Sequence, residues 1–143
     1  MSAEQNKAIA RRFFEEADRK VFDNVDEILA PNFVSHLPVS PAPLDAASFI
    51  QFTRAFAAGF PDYTHTIEDQ VCEGDTVVTR ITWRGTHTGD FQGIPATGKQ
   101  PSMMGINFLR IEGGKIVEQW AQFDVMSLMQ QLGAIPSPEP ALV

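Results

Sequence analysis

Residues 101–123 read PSMMGINFLRIEGGKIVEQWAQF. Two runs rich in large apolar residues, Pro101–Ile111 and Lys115–Phe123, flank Glu112-Gly113-Gly114, the pattern of a β-hairpin. A second pair lies upstream: Tyr63–Cys72 leads into a Gly74-Asp75 turn and Thr76–Thr86 returns from it. Between the pairs, Gly89–Gly98 carries three glycines and a proline and reads as a loop. Beyond them, Val125–Leu132 has the spacing of a short helix, with Gly133 placed to end it.

The upstream part is helical. Ser2 and Gln5 form a capping box, and Ile9, Phe13, Phe14 and Ala17 recur at helical spacing, which predicts a helix over 2–20 with one buried stripe. Asn24–Leu29 reads as a second short helix ended before Pro31. Asn32–His36 leans to strand, and the three prolines in 38–43 make the next stretch a loop. Asp45 caps a third helix carrying Phe49, Ile50, Phe52, Phe56 and Phe60, closed by Gly59 and Pro61-Asp62. Helices followed by a run of strands predict an α+β fold: a strongly bent antiparallel sheet wrapped round N-terminal helices into a cone-shaped barrel. Its open end is a natural apolar pocket, lined by the first and third helices and the last two strands.

The chain of 143 residues suits one domain, expected over 1–135, with Pro136, Pro138 and Pro140 marking a loose tail over 136–143. A formal charge of −7 with no run of Lys or Arg argues against nucleic acid or an anionic membrane as partner. No apolar stretch nears the roughly 20 residues of a membrane span, and the charged N-terminus is unlike a secretory signal. Cys72 is the one cysteine, so no internal disulfide forms and a cytoplasmic location is expected. Eleven of the aromatics are Phe, which favours an apolar interior or pocket.

The chain then shows Phe60-Pro61-Asp62, Gly74-Asp75-Thr76-Val77, Gly85-Thr86-His87-Thr88-Gly89 and Gly93-Ile94-Pro95-Ala96-Thr97-Gly98-Lys99. It continues with Arg110-Ile111, Gly114-Lys115-Ile116-Val117-Glu118, Trp120, Asp124 and Gln130-Gln131-Leu132-Gly133. In this order and combination the residues resemble the SnoaL-like polyketide cyclases of the nuclear-transport-factor-2-like superfamily. The resemblance implies intramolecular aldol closure of a polyketide ring without cofactor or metal, and self-association through the sheet. It implies that an Asp just before the last helix, here Asp124, is the acid/base. The cyclases' assisting His and Gln match Asn107 and Gly105, so both partners are absent here.

Chemistry gives Asp124 two readings. One carboxyl can remove a proton between two carbonyls and later protonate an oxygen, provided apolar neighbours such as Trp120 desolvate it. Alternatively, Asp124 caps the helix starting at Val125. Strand alternation puts Glu118, Trp120, Gln122 and Asp124 on one face, with Trp120 as a pocket wall or core and Gln122 as a carbonyl-positioning group or a solvated residue. Asn107, on a face with Met103, Gly105 and Leu109, is a core amide or an oxyanion donor. Phe14, or its neighbour Phe13, and Phe52 or Phe56 border the pocket, and His36 is expected to bind substrate at its mouth. His87 reads as a loop support, and His65 is assigned no role.

Three histidines on separate elements make no metal site, and no serine-nucleophile or phosphate-loop motif occurs. None of the four lysines is placed for a Schiff base, and Cys72 has no cation beside it to activate it. The expected function is thus cofactor-free cyclisation of an apolar, polyketide-like carbonyl compound by a homodimer or homotetramer. Two alternatives stand beside it. One is a non-catalytic small-molecule-binding domain. The other is a limonene-epoxide-hydrolase-like enzyme, for which Arg80 or Arg110 would have to join Asp124 and a second Asp.

Overall fold

The computed structural model describes residues 2–136. The tail expected over 136–143 lies outside them from residue 137 onward. The helix α1 spans Ala3–Arg19, and its capping box is formed: the Gln5 N–H donates to Ser2 Oγ and the Ser2 N–H to Gln5 Oε1. After the single-turn helix α2 (Val25–Ile28) come strand β1 (Leu29–His36), the two-residue strand β2 (Leu44–Asp45) and helix α3 (Ala46–Gly59). Asp45 caps α3 by accepting the Ser48 N–H at 2.8 Å. Strands β3 (Thr64–Glu73), β4 (Thr76–Arg84), β5 (Ser102–Glu112) and β6 (Lys115–Phe123) follow, then helix α4 (Val125–Leu132), ended by Gly133 at φ +81°.

The order across the sheet is β2-β1-β6-β5-β4-β3. The two hairpins foreseen from the sequence are β3–β4 and β5–β6, joined edge to edge through β4 and β5. Two features correct the expectation. The sheet is mixed, because β1 runs parallel to β6, and it is open, with β2 and β3 as its edges. The parallel pair arises because the first strand and the last, far apart in sequence, share a neighbourhood no hairpin dictates. In addition, β1 starts at Leu29 and carries Pro31 within it, so the helix ahead is shorter than its sequence suggested.

Helix α1 packs on β3 and β4, and α3 on β1 and β2. Irregular registers in three strand pairs, at Ile67/Asp69, at Arg110/Ile111 and at Leu29/Val34, add local bend and twist. The interior forms two clusters. Phe13, Phe14, Phe33, Val77, Ile81, Leu109 and Ile116 belong to one; Phe56, Phe60, Tyr63, Trp83, Phe91 and Leu128 belong to the other. Among the described residues no helix is long and apolar enough to cross a membrane.

The segment 85–101 is held by local bonds. His87 is fully buried; its Nδ1 accepts the Thr97 N–H at 3.2 Å, and its ring stacks on Phe60 at 5.2 Å. Gly89 lies so close to α3 that a Cβ there would stand 2.1 Å from the Ala58 carbonyl oxygen. Asp62 anchors the start of the segment, accepting the Thr86 N–H at 2.7 Å and the Thr86 hydroxyl at 2.6 Å. That hydroxyl first, and the N–H with it, hold the Asp62 carboxyl below its ordinary value. A carboxyl lowered in the folded state adds stability above its unfolded value and loses it as pH falls through the folded one. Asp62→Asn is therefore expected to lower the melting temperature at neutral pH. The gap to wild type should close on acidification, as thermal melts across the carboxylate range would show.

Candidate active site

A cavity of about 100 Å³ opens where the two core clusters fail to merge. Its wall draws Phe13, Phe14 and Ala17 from α1, Phe52 and Phe56 from α3, and Ile81 and Trp83 from β4. Space of this size takes roughly one ring, since an apolar cavity of about 150 Å³ accommodates benzene, and because the cavity opens to solvent a larger substrate extends past its mouth. A wider cleft of about 400 Å³, bounded by Asp62, Arg84, Gln100 and Ser102 among others, is polar and borders the held segment. The apolar cavity is the better small-molecule site, because it combines apolar walls with a few convergent polar groups.

One polar group is the Asn107 amide, which is buried and lines the cavity. Ser35 Oγ donates to Gln119 Oε1 at 2.7 Å, and Gln119 Nε2 donates to Asn107 Oδ1 at 2.6 Å. This relay crosses three strands, β1, β6 and β5, and uses the amide oxygen. It leaves Asn107 Nδ2 as a donor for a ligand oxygen.

The second group was missed from the sequence. His65, on β3, lines the cavity, and its Nδ1 lies 2.6 Å from Asp18 Oδ1 at the end of α1. The His65 N–H also donates to Asp18 Oδ2 at 3.1 Å. The available signal was alternation: Tyr63, His65 and Ile67 turn inward between Thr64, Thr66 and Glu68. Around them, Tyr63 donates its hydroxyl to the Ala17 carbonyl at 2.6 Å, and burial pushes its phenol well above the usual range. Lys20 Nζ donates to the Asp18 and Tyr63 carbonyls at 2.9 and 2.8 Å and sits 4.2 Å from the Tyr63 ring centroid. Desolvation lowers its ammonium below the ordinary value, against the pull of Asp18 and Asp62.

Phe13, Phe14, Phe52, Phe56 and Asn107 thus border the cavity, while Asp124, Trp120, Gln122 and His36 lie elsewhere. Asp124 is exposed, and its carboxylate accepts the Ser127 N–H at 3.0 Å as the cap of α4. It is not among the residues that line the cavity. Trp120 is 42% exposed on the outer face of the sheet, where its ring stacks on His36 at 5.3 Å. His36 Nε2 pairs there with Glu118 Oε2 at 2.7 Å, and Gln122 is exposed on the same side. The cause is one extra residue: Ile111 faces Ile116 but Arg110 faces Glu118, so Val117 is bulged and the strand beyond it reverses its faces relative to β5. The same bulge brings Gln119, Ala121 and Phe123 to the cavity. Arg80 pairs with Asp69, and Arg110 with Glu112 and Glu118, away from the lining. The Asp–Arg–Asp set of an epoxide hydrolase is therefore not assembled in the cavity.

Comparison with known proteins agrees with the fold. The family model of SnoaL-like polyketide cyclases matches residues 8–132. The aklanonic acid methyl ester cyclase DauD of Streptomyces sp. (strain C5) is 30% identical over 140 residues, spanning 92% of this chain and 83% of its own. The aklanonic acid methyl ester cyclase DnrD of Streptomyces peucetius is 30% identical over 115 residues, spanning 80% and 77%. Among solved structures, IdmH of Streptomyces antibioticus, a candidate polyketide cyclase, superposes with a TM-score of 0.82 at 34% identity, covering 90% of this chain and 99% of its own. AclR of Streptomyces galilaeus, a candidate hydroxylase, gives 0.87 at 25%, covering 96% and 87%. With a family match over most of its length and relatives that share its fold, the chain belongs to the SnoaL-like polyketide cyclases.

Proposed function

We propose that this cyclase closes a ring in a polyketide-like methyl ester by an intramolecular aldol reaction in the apolar cavity. The observation that carries the reading is the Asn107 amide, buried in that wall with its oxygen already bonded and its N–H groups left to a ligand. In an aldol closure a proton leaves the carbon between two carbonyls, the enolate carbon joins a ketone carbon, and the resulting alkoxide regains a proton. Product and substrate are isomers, so the step needs no oxidant, reductant or co-reactant. Negative charge gathers on a carbonyl oxygen during the step, and a preorganised donor in a water-poor site stabilises it. Phe and Met walls favour a flat, apolar substrate, and the relatives named for aklanonic acid methyl ester make that compound the first to test. A cytoplasmic setting suits the free thiol of Cys72.

The outer face of the sheet suits a second copy of the chain. Met104, Ile106, Phe108 and Trp120 are all exposed on β5 and β6, and one two-fold axis would cover them on both copies. Sedimentation is expected to give a dimer or a dimer of dimers. Phe108→Glu, which changes a side chain on the face away from the cavity, should give a monomer.

Turnover of aklanonic acid methyl ester to a ring-closed isomer, followed by chromatography, tests the proposed activity. Bound ester with no turnover would favour the binding-domain reading. Asn107→Leu keeps the bulk, removes the donor and should lower kcat about 10²- to 10³-fold. It also strands the Gln119 Nε2 donor, at a stability cost of about 1–3 kcal/mol. Asp124→Ala should behave oppositely, losing about 1 kcal/mol of stability with its cap and keeping kcat.

A further inference from the structure

We propose that His65 is the catalytic base of the ring closure and Asp18 its positioning residue, an assignment that rests on the cyclase reading above. Asp18 grips its partner at two points, through the His65 N–H at 3.1 Å and the ring Nδ1 at 2.6 Å. A carboxylate only accepts, so Nδ1 carries the ring proton and Nε2, on the opposite edge, keeps its lone pair. Nε2 makes no hydrogen bond among the described residues, while the ring borders the cavity between Phe14 at 5.3 Å and Tyr63 at 5.6 Å. The imidazole is therefore fixed in rotation, set in one tautomer and open on its basic side.

Nothing else in the lining can do this work. Tyr63 is held as a neutral phenol with its hydroxyl bonded to Ala17, Lys20 is spent on two backbone carbonyls, and Asp124 lies outside as a helix cap. In the reaction, Nε2 takes the proton from the carbon between the two carbonyls, and the C–H electron pair becomes the enolate. The enolate carbon bonds to the ketone carbon, and the C=O π pair moves onto oxygen as alkoxide. That alkoxide takes the proton back from Nε2, which restores the neutral imidazole. The Asp18 carboxylate stabilises the imidazolium in between.

A probe that cannot cyclise tests the base apart from the cyclase. Methyl naphthoylacetate has an acidic methylene between ketone and ester but no second ketone to attack. Hydrogen–deuterium exchange at that methylene, read by NMR in heavy water, should run faster with the wild-type protein than in buffer. In His65→Ala the enzymatic part should fall about 100-fold or more, and added imidazole should restore a share of it. Asp18→Asn should slow exchange without changing the probe's affinity, read from the fluorescence of Trp83 in the cavity wall, and Asp18→Glu should recover part of the rate. Exchange unchanged in His65→Ala would overturn the assignment, as would a wild-type protein that binds the probe and exchanges it no faster than buffer. Exchange by a protein that fails to cyclise the polyketide ester would instead retain the base and reject the cyclase reading.

Discussion

One extra residue in β6 decides what this cavity contains. The Gly113-Gly114 turn pairs Glu112 with Lys115 and Ile111 with Ile116, and an unbroken ladder would next set Arg110 against Val117. Instead Arg110 meets Glu118, and Ile116 and Val117 are both buried in succession. A one-residue shift turns every later side chain to the opposite face. Asn107 therefore faces Ala121 rather than Trp120, Gly105 faces Phe123, and Gln119 comes within reach of the Asn107 oxygen. Without the bulge, Trp120 would fill the space that is now cavity, and the amide relay would have no middle member.

The relay ties distant parts of the chain to that register. Ser35, Gln119 and Asn107 are all buried, and each is bonded to the next, so β1 is locked beside β6 in the one parallel pairing of the sheet. Each such bond contributes about 1 kcal/mol net, but an unmatched member would cost more. The relay thus selects the register more strongly than it stabilises it. Around it the aromatic clusters close from two sides, and Ile81 and Phe123 pack so near Gly105 that a Cβ there would stand 3.3 Å from each. At the far wall, the C-terminal turn of α1 brings Asp18 to His65, with Tyr63 and Lys20 satisfying the carbonyls that the helix end leaves open.

Much of the fold is legible in the sequence because local chemistry sets it. The Ser2–Gln5 box, the Asp45 and Asp124 caps, the Gly133 terminus and both hairpin turns act through neighbours in the chain. Phe14 and Asn107 are likewise readable, as members of apolar stripes with clear periodicity. Trp120, Gln122 and His36 are not, since their facing depends on the bulge at Val117, which no turn signal announces. The parallel neighbour of β1 is a long-range choice made by packing. His65 hides for a different reason: its partner Asp18 sits 47 positions away at a helix end, and only the folded chain joins them. Asp124, which the family resemblance singles out, caps α4 through its Oδ1.

On the proposed reading a flat carbonyl substrate reacts in this apolar cavity beside His65. The most direct measurement is a crystal structure with methyl naphthoylacetate bound. The expected result is the naphthyl ring among Phe14, Phe52 and Phe56 with the methylene carbon against His65 Nε2. A probe seated instead in the polar cleft beside Asp62 and Arg84, or against Asp124 with the cavity empty, would contradict it.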